Sequence, residues 1–329
     1  MAFGVAPQTA FNCRHAVLTP PAGWTAEERA NCDPVVTPAG INTDAYAPAV
    51  YTVAADQARV SVKIANPNPH LRRAMAAGVP IPPGAQPASG TDGQLVIWQP
   101  GTDTMWELFR ARSEADGWHA AYGGRIRDVS KSPGHYRDVS DAARPGTFRE
   151  QHSWGEAASS IPNLPGLITL DELRRGRIDH ALVFATWVNA PGKWVYPAQR
   201  SDGACNGEHC SEIPQGARFR LGPGYKVSQI DHPVVRMIAR VVKNYGMVLY
   251  NKTGGGVGFY TEGWRQHRTD DPYHGPGGFF TADPDQQRPT EFMREFPWER
   301  LQMLRRGTTC RDRAVECPAP RWWPARRGG

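Results

Sequence analysis

Apolar and polar positions alternate in several short stretches of this chain, whereas the 3.6-residue period of a helix is strongly marked only once. The run "ARVSVKIA" (58–65) alternates and predicts a strand. "QLVIWQ" and "TMWELFRARS" flank "PGTD", whose Pro and Gly supply turn chemistry and predict a hairpin. "GWHAAYG" follows "EADG" as a third strand, so these segments read as an antiparallel meander. "RIDHALVFATWV", "KWVYPA" and "ARFRL" predict further strands, and "MVLYN" with "GVGFYTE" a second hairpin around "KTGG". The helical period belongs to "DHPVVRMIARVVKNYG", with Asp231 or His232 at the cap, Pro233 near the first turn and Gly246 as a stop. "RPTEFMREFPWERLQMLRR" reads as helical and broken at Pro297.

This inventory predicts a mostly-β fold: an antiparallel β-sandwich or jelly roll with one long helix and loop-rich N- and C-terminal extensions. Residues 1–55 form a Pro-broken arm, 56–285 the sandwich domain, and 286–329 a helical and basic C-terminal extension. Composition supports the class: Gly 34 and Pro 30 in 329 residues leave few long uninterrupted stretches.

Charge changes the picture little. The formal excess of +6 is accounted for from Arg300 onward, where eight arginines face only Asp312 and Glu316. The body is close to neutral, so the basic end reads as a solvated terminus and nucleic acid is not an expected partner. No stretch is long and apolar enough to span a bilayer.

Cysteine usage points outside the cell. Cys13 with Cys32, Cys205 with Cys210, and Cys310 with Cys317 form three near pairs in loop-like sequence, which favours local disulfides over a zinc site, although six cysteines allow other pairings. Cys205, His209 and Cys210 offer metal-ligand types, but a disulfide with a spectator histidine is the simpler use, and neither metal nor cofactor is expected. The opening "MAFGVAPQTAFNCRHAV" has no signal-peptide pattern. An extracellular location then implies a removed signal or another exit, as for virion proteins released by host lysis.

Candidate chemistry gathers in two places. In the strand after "LRRG", Ile178, His180, Leu182, Phe184 and Thr186 share one face, while Arg177, Asp179, Ala181, Val183, Ala185 and Trp187 share the other. Both faces are largely apolar, so the strand is expected to be covered on both sides, with its polar residues at one end. His180 there is either a tuned acid or base, or a hydrogen-bonded core histidine beside an Arg177–Asp179 ion pair. Glu107 in "MWELFRA" sits mid-strand in apolar company, which resists ionisation as a catalytic acid must, or else it pairs with an arginine such as Arg110, Arg112 or Arg220. Glu107 facing Asp179 or Asp202 would make a glycosidase pair; Tyr196 with His180 would suit a polysaccharide lyase.

The second place is "VYPAQRSDGACNGEHC", where Trp194, Tyr196, Gln199, Arg200 and Asp202 fall on a loop that a disulfide would stiffen. An exposed indole is a platform for a sugar ring, and Trp118 is a further candidate. "NKTGGGVG" lacks the residue order of a phosphate loop, and no nucleophile elbow, zincin helix or dinucleotide fingerprint is present.

The segments "MWELFRA", "GWHAAYGGRIRDV", "IPNLPGLITLDELRRGRIDHALVF", "VYPAQRSDG", "IPQGARFRL" and "VVRMIARVVKNYGMVLYN" occur in fixed order over roughly residues 90 to 260. Together they resemble an uncharacterised actinobacterial family, often secreted, of a kind that a phage tail or fibre protein can carry. The resemblance implies an extracellular β-sandwich at a glycan-rich surface and transfers no catalytic residue. The leading expectation is therefore a virion-associated or secreted protein that contacts host cell-surface polysaccharide, with both termini serving attachment to neighbouring subunits. A glycan-cleaving hydrolase or lyase using Glu107, Asp179, His180 and Tyr196 is the alternative, and a purely structural tail or capsid element the third.

Overall fold

The computed structural model describes residues 39–132, 134, 136, 155–186, 189–203, 213–253, 257–265, 270–280 and 292–304. Among them the chain is sheet-rich, with thirteen strands in three sheets and three short α-helices. All six cysteines, Trp187, and both chain ends expected to meet neighbouring subunits lie outside the described residues. No helix of the described residues is long and apolar enough to cross a membrane.

The largest sheet contains β1 (Gly40–Asn42), β9 (Leu182–Thr186), β10 (Arg218–Leu221), β11 (Met247–Asn251), β12 (Val257–Tyr260) and β13 (Leu301–Met303). Its spatial order is β1-β12-β9-β11-β10-β13. A second sheet orders β2 (Ala49–Thr52), β4 (Leu95–Gln99), β5 (Thr104–Phe109) and β8 (Tyr122–Arg127) as β2-β4-β5-β8. A third, β3-β7-β6, comprises β3 (Val62–Ile64), β7 (Gly117–Ala120) and β6 (Arg112–Glu114). Strands β1 and β2 arise from the segment read as an irregular arm, and they join two different sheets.

The first hairpin is present: β4 and β5 are antiparallel around Pro100–Thr102, with Asp103 left-handed at φ 49. The third strand of the meander is corrected, because Gly117–Ala120 joins β6 and β3 in the small sheet and β5 pairs antiparallel with β8 instead. The purely antiparallel expectation is corrected, because each sheet is mixed: β1 with β12, β9 with β11, β2 with β4 and β3 with β7 run parallel. The cause is visible at β9. Ile178, Leu182 and Phe184 enter one core while Ala181, Val183 and Ala185 enter another, as the alternation predicts. A strand buried on both faces belongs at a sheet centre with covering layers. β9 accordingly lies between β11 and β12, which removes the second predicted hairpin. "KWVYPA" contributes only the bridge Trp194↔Gln215.

The helices are α1 (Pro69–Ala76), α2 (Leu170–Arg175) and α3 (Pro233–Asn244). The last is the predicted helix, started by Pro233 and followed by Gly246 at φ 84. A Cβ at Gly246 would stand 2.8 Å from the Phe219 carbonyl oxygen, so only glycine fits there. Val234, Val235, Ile238, Ala239, Val241 and Val242 bury one face of α3 in the core of the large sheet, each larger aliphatic side chain contributing about 1.5–3 kcal/mol.

The C-terminal helix predicted over 288–306 is also corrected. Met293–Glu295 and Trp298–Arg300 are single 3-10 turns, and the chain then extends into β13. Pro297 lacks an amide hydrogen and holds Phe296 extended at ψ 129, so the turns cannot merge. Glu295 instead reaches α3, where Oε2 accepts from the amides of Asp231 (3.0 Å) and His232 (2.8 Å). The helix start is thereby satisfied by a carboxylate remote in sequence.

Candidate functional site

After β9 the chain turns at Pro191–Gly192, Gly192 being left-handed at φ 60, and runs back beside residues 213–217. The amides of Ala190 and Val195 donate to the carbonyls of Ile213 (2.7 Å) and Gln215 (2.8 Å). Gly216 makes this approach possible, since a Cβ there would overlap the Val195 carbonyl. The far end is tied inward. Gln199 donates through its amide to Ser159 O (2.9 Å) and through Nε2 to Tyr136 O (2.9 Å). Arg200 donates to Ala157 O at 3.1 Å, with its guanidinium 4.7 Å from the Tyr122 ring centre. Asp202 exchanges hydrogen bonds with the Gln215 side chain.

Sequence placed five ligand-contact candidates on this loop, and the structure divides them. Gln199 is buried and Arg200 half-buried, both anchoring the loop, whereas Trp194 is 39% exposed and Asp202 faces solvent. Tyr196 is half-buried, with Arg218 of β10 5.7 Å from its ring centre. Burial pushes the Arg218 guanidinium below its ordinary value. Trp118 lies on β7, half-buried against the core of the second sheet.

Glu107 occupies the middle of β5 and is wholly buried. No arginine among the described residues pairs with it. Tyr136 Oη donates to its Oε2 at 2.6 Å, and the amides of Asn163 (2.8 Å) and Leu164 (3.0 Å) donate to Oε1. Burial raises its pKa to about 7 against the opposition of these donors. Glu156, a residue that sequence reasoning missed, lies nearby and is hydrogen-bonded by the Asn163 side chain. Burial pushes Glu156 well up and the Glu107 charge adds to it. Two carboxyls so placed resist carrying two charges and hold at least one proton at neutral pH. Gly124 and Gly155 make room for the Tyr136 ring, where a Cβ would approach to 2.5 and 2.4 Å.

The opening of β9 is arranged differently. Arg177 Nε donates to Asp179 Oδ1 at 2.6 Å, and Tyr245 Oη reaches the same oxygen at 3.4 Å, all near the surface. His180 points inward, with Nε2 2.8 Å from Glu172 Oε1 of α2 and Nδ1 2.9 Å from Ala181 O. Burial alone would lower its pKa, but the hydrogen bond and charge of Glu172 outweigh that and raise it. Glu172 also completes the capping box of α2 with Thr169. Glu107, Asp179 and Tyr196 are thus each held by different partners, while the Asp179 charge also acts on the neighbouring His180.

Among the described residues one group has metal-ligand character: Glu114, Asp116 and His119 on the β6–β7 hairpin, whose donor atoms lie within 4.8 Å of one another. Lys63 bonds Asp116 at 2.5 Å and Arg112 pairs with Glu114, so each carboxylate already has a cation. Comparison with known proteins finds no matching family model, curated relative or solved structure.

Proposed function

We propose that this protein contacts cell-surface polysaccharide, as a secreted or virion-borne protein, through the loop bearing Trp194, Tyr196 and Asp202. The observation that carries the reading is Trp194: its indole is 39% exposed on a loop pinned by backbone hydrogen bonds on both sides. A large apolar ring held in water without disorder of its backbone is what stacking on a sugar face needs, and Asp202 beside it offers hydrogen bonds to hydroxyls. We also read the two larger sheets as the layers of a sandwich. The third core supports this, since Val50 of β2 packs against a cluster that includes Val248 and Tyr250 of β11.

Trp194→Ala is expected to reduce binding to actinobacterial wall arabinogalactan at least tenfold in a pull-down or calorimetric titration, with the melting temperature unchanged. Undiminished binding would overturn the assignment. A glycan-cleaving reading is favoured by one observation, the Glu107 carboxyl that keeps its proton to about pH 7 as a general acid must. Against it, both oxygens are occupied by Tyr136, Asn163 and Leu164, and the residue is 0% exposed. New reducing ends or an unsaturated uronide after incubation with the glycan would establish cleavage; no product across several glycans would remove it.

A further inference from the structure

The outer side of β8 carries positive charge that nothing in the described molecule neutralises. Along β8, Gly124 faces the Tyr136 ring, so Arg125 and Arg127 project to the opposite side of the sheet. Arg125 stands directly across from Trp106 in the β5–β8 register. Arg59 reaches the same indole from outside the sheet, its guanidinium carbon 5.4 Å from the ring centre. It is packed there against Gly78, where a Cβ would meet the Arg59 Cβ at 2.8 Å.

Arg59 and Arg125 thus flank one buried indole, and Arg127 follows two residues along the same face of β8, across from Thr104. Among the described residues, arginine ion pairs are made by Arg112, Arg174, Arg177 and Arg265, and none by Arg59, Arg125 or Arg127. Trp106 is 0% exposed, and its Nε1 hydrogen finds no acceptor among the described residues. Burial lowers the pKa of Arg125, and the charges of Arg127 and Arg59 lower it further, so the three lie within Coulomb reach of one another. Like charges held together at a half-buried position are unfavourable by themselves and favourable around an anion.

We propose that Arg59 and Arg125 beside Trp106, with Arg127 next along the same face of β8, form a binding site for an oxyanion: a phosphate, a sulfate or the carboxylate of a uronic acid. Guanidinium forks match these groups two oxygens at a time, which a scattered basic surface does not. The site lies on β8 and the segment before β3, apart from the Trp194 loop, and it stands whether or not that loop binds glycan.

The test uses the full chain and titrates sodium phosphate, sulfate and glucuronate separately at constant ionic strength, against chloride, following melting temperature and heat. Saturable binding of at least one oxyanion with a rise in melting temperature is expected, where chloride gives none. Arg59→Gln and Arg127→Gln, both at exposed positions and so compatible with folding, should each weaken that binding about tenfold; the half-buried Arg125→Gln should abolish it. Preference for glucuronate would assign the group to an acidic glycan, and preference for phosphate or sulfate to the free ion or its esters; either supports the site. No saturable binding of any of the three, or binding unchanged in both exposed variants, would overturn it.

Discussion

Glu107 and Glu172 are both withdrawn from water, one in the middle of β5 and the other on α2, and their surroundings differ in kind. Glu107 meets neutral donors, one phenol and two backbone amides, and a second carboxyl close by. Glu172 meets His180, a group that can carry the opposite charge, and Thr169 at the head of its own helix. Neutral donors do not overcome desolvation, so Glu107 holds its proton to about pH 7. A partner of opposite charge does overcome it, and the His180 imidazole is raised despite burial. The lesson is that burial alone does not decide ionisation; the charge of the nearest partner does.

The pair can be broken most sharply at His180. His180→Ala leaves the Glu172 carboxylate buried without its cation and should cost about 3–5 kcal/mol at pH 6, read by chemical denaturation. The wild type should also lose stability as pH rises, from the buried carboxyls Glu107 and Glu156, both raised, and from His180. The folded pKa of Glu107 lies above its ordinary 4.5, so its contribution is complete below about pH 4.5 and is lost as pH climbs through about 7. The difference is on the order of 3 kcal/mol. His180 is raised above 6.5, so its contribution is present below 6.5 and is lost as pH rises through its folded value.

Glu107→Gln separates the carboxyls from His180. It should make the profile between pH 4.5 and 7 shallower, Glu156 still contributing, leave the His180 decline above 6.5, and raise stability at pH 8 by about 1–3 kcal/mol. An unaltered slope would mean that Glu107 is ionised throughout. Tyr136→Phe is the smallest and finest probe. Removing the donor to Oε2 should cost about 1 kcal/mol at pH 5, where the carboxyl is neutral, and about 2 kcal/mol at pH 8, where it is not. Equal losses at both values would contradict the titration.

What could be read in the sequence follows how local each feature is. The helix at 233–244 was legible because its Pro233 start, period and Gly246 stop are all within one segment, although the carboxylate that satisfies its start, Glu295, is not. The Arg177–Asp179 pair and the buried His180 were legible as one of two readings, being fixed by strand alternation. The position of β9 between β11 and β12 was not legible: neighbouring strands favour a hairpin, and only the apolarity of both β9 faces signals that it needs two neighbours. Glu107 announced itself as a carboxyl in apolar company. Its donors did not, because Tyr136 and Asn163 lie 29 and 56 residues away. Glu156 in "WGEAASS" drew no reading; the small residues around it, which leave room for close packing, were the available signal.

Strands β1 and β13 form the two margins of the six-stranded sheet and come from opposite ends of the described chain. Translation delivers β1 early, but its partner β12 emerges only after two hundred further residues have been made, the amide of Thr261 closing onto Asn42 across a separation of 219. The sheet therefore stays unfinished while the intervening residues are made, and its completion is a late search for distant partners. Refolding should be slow for the chain's size, with the early strand exposed to aggregation until the last segment arrives.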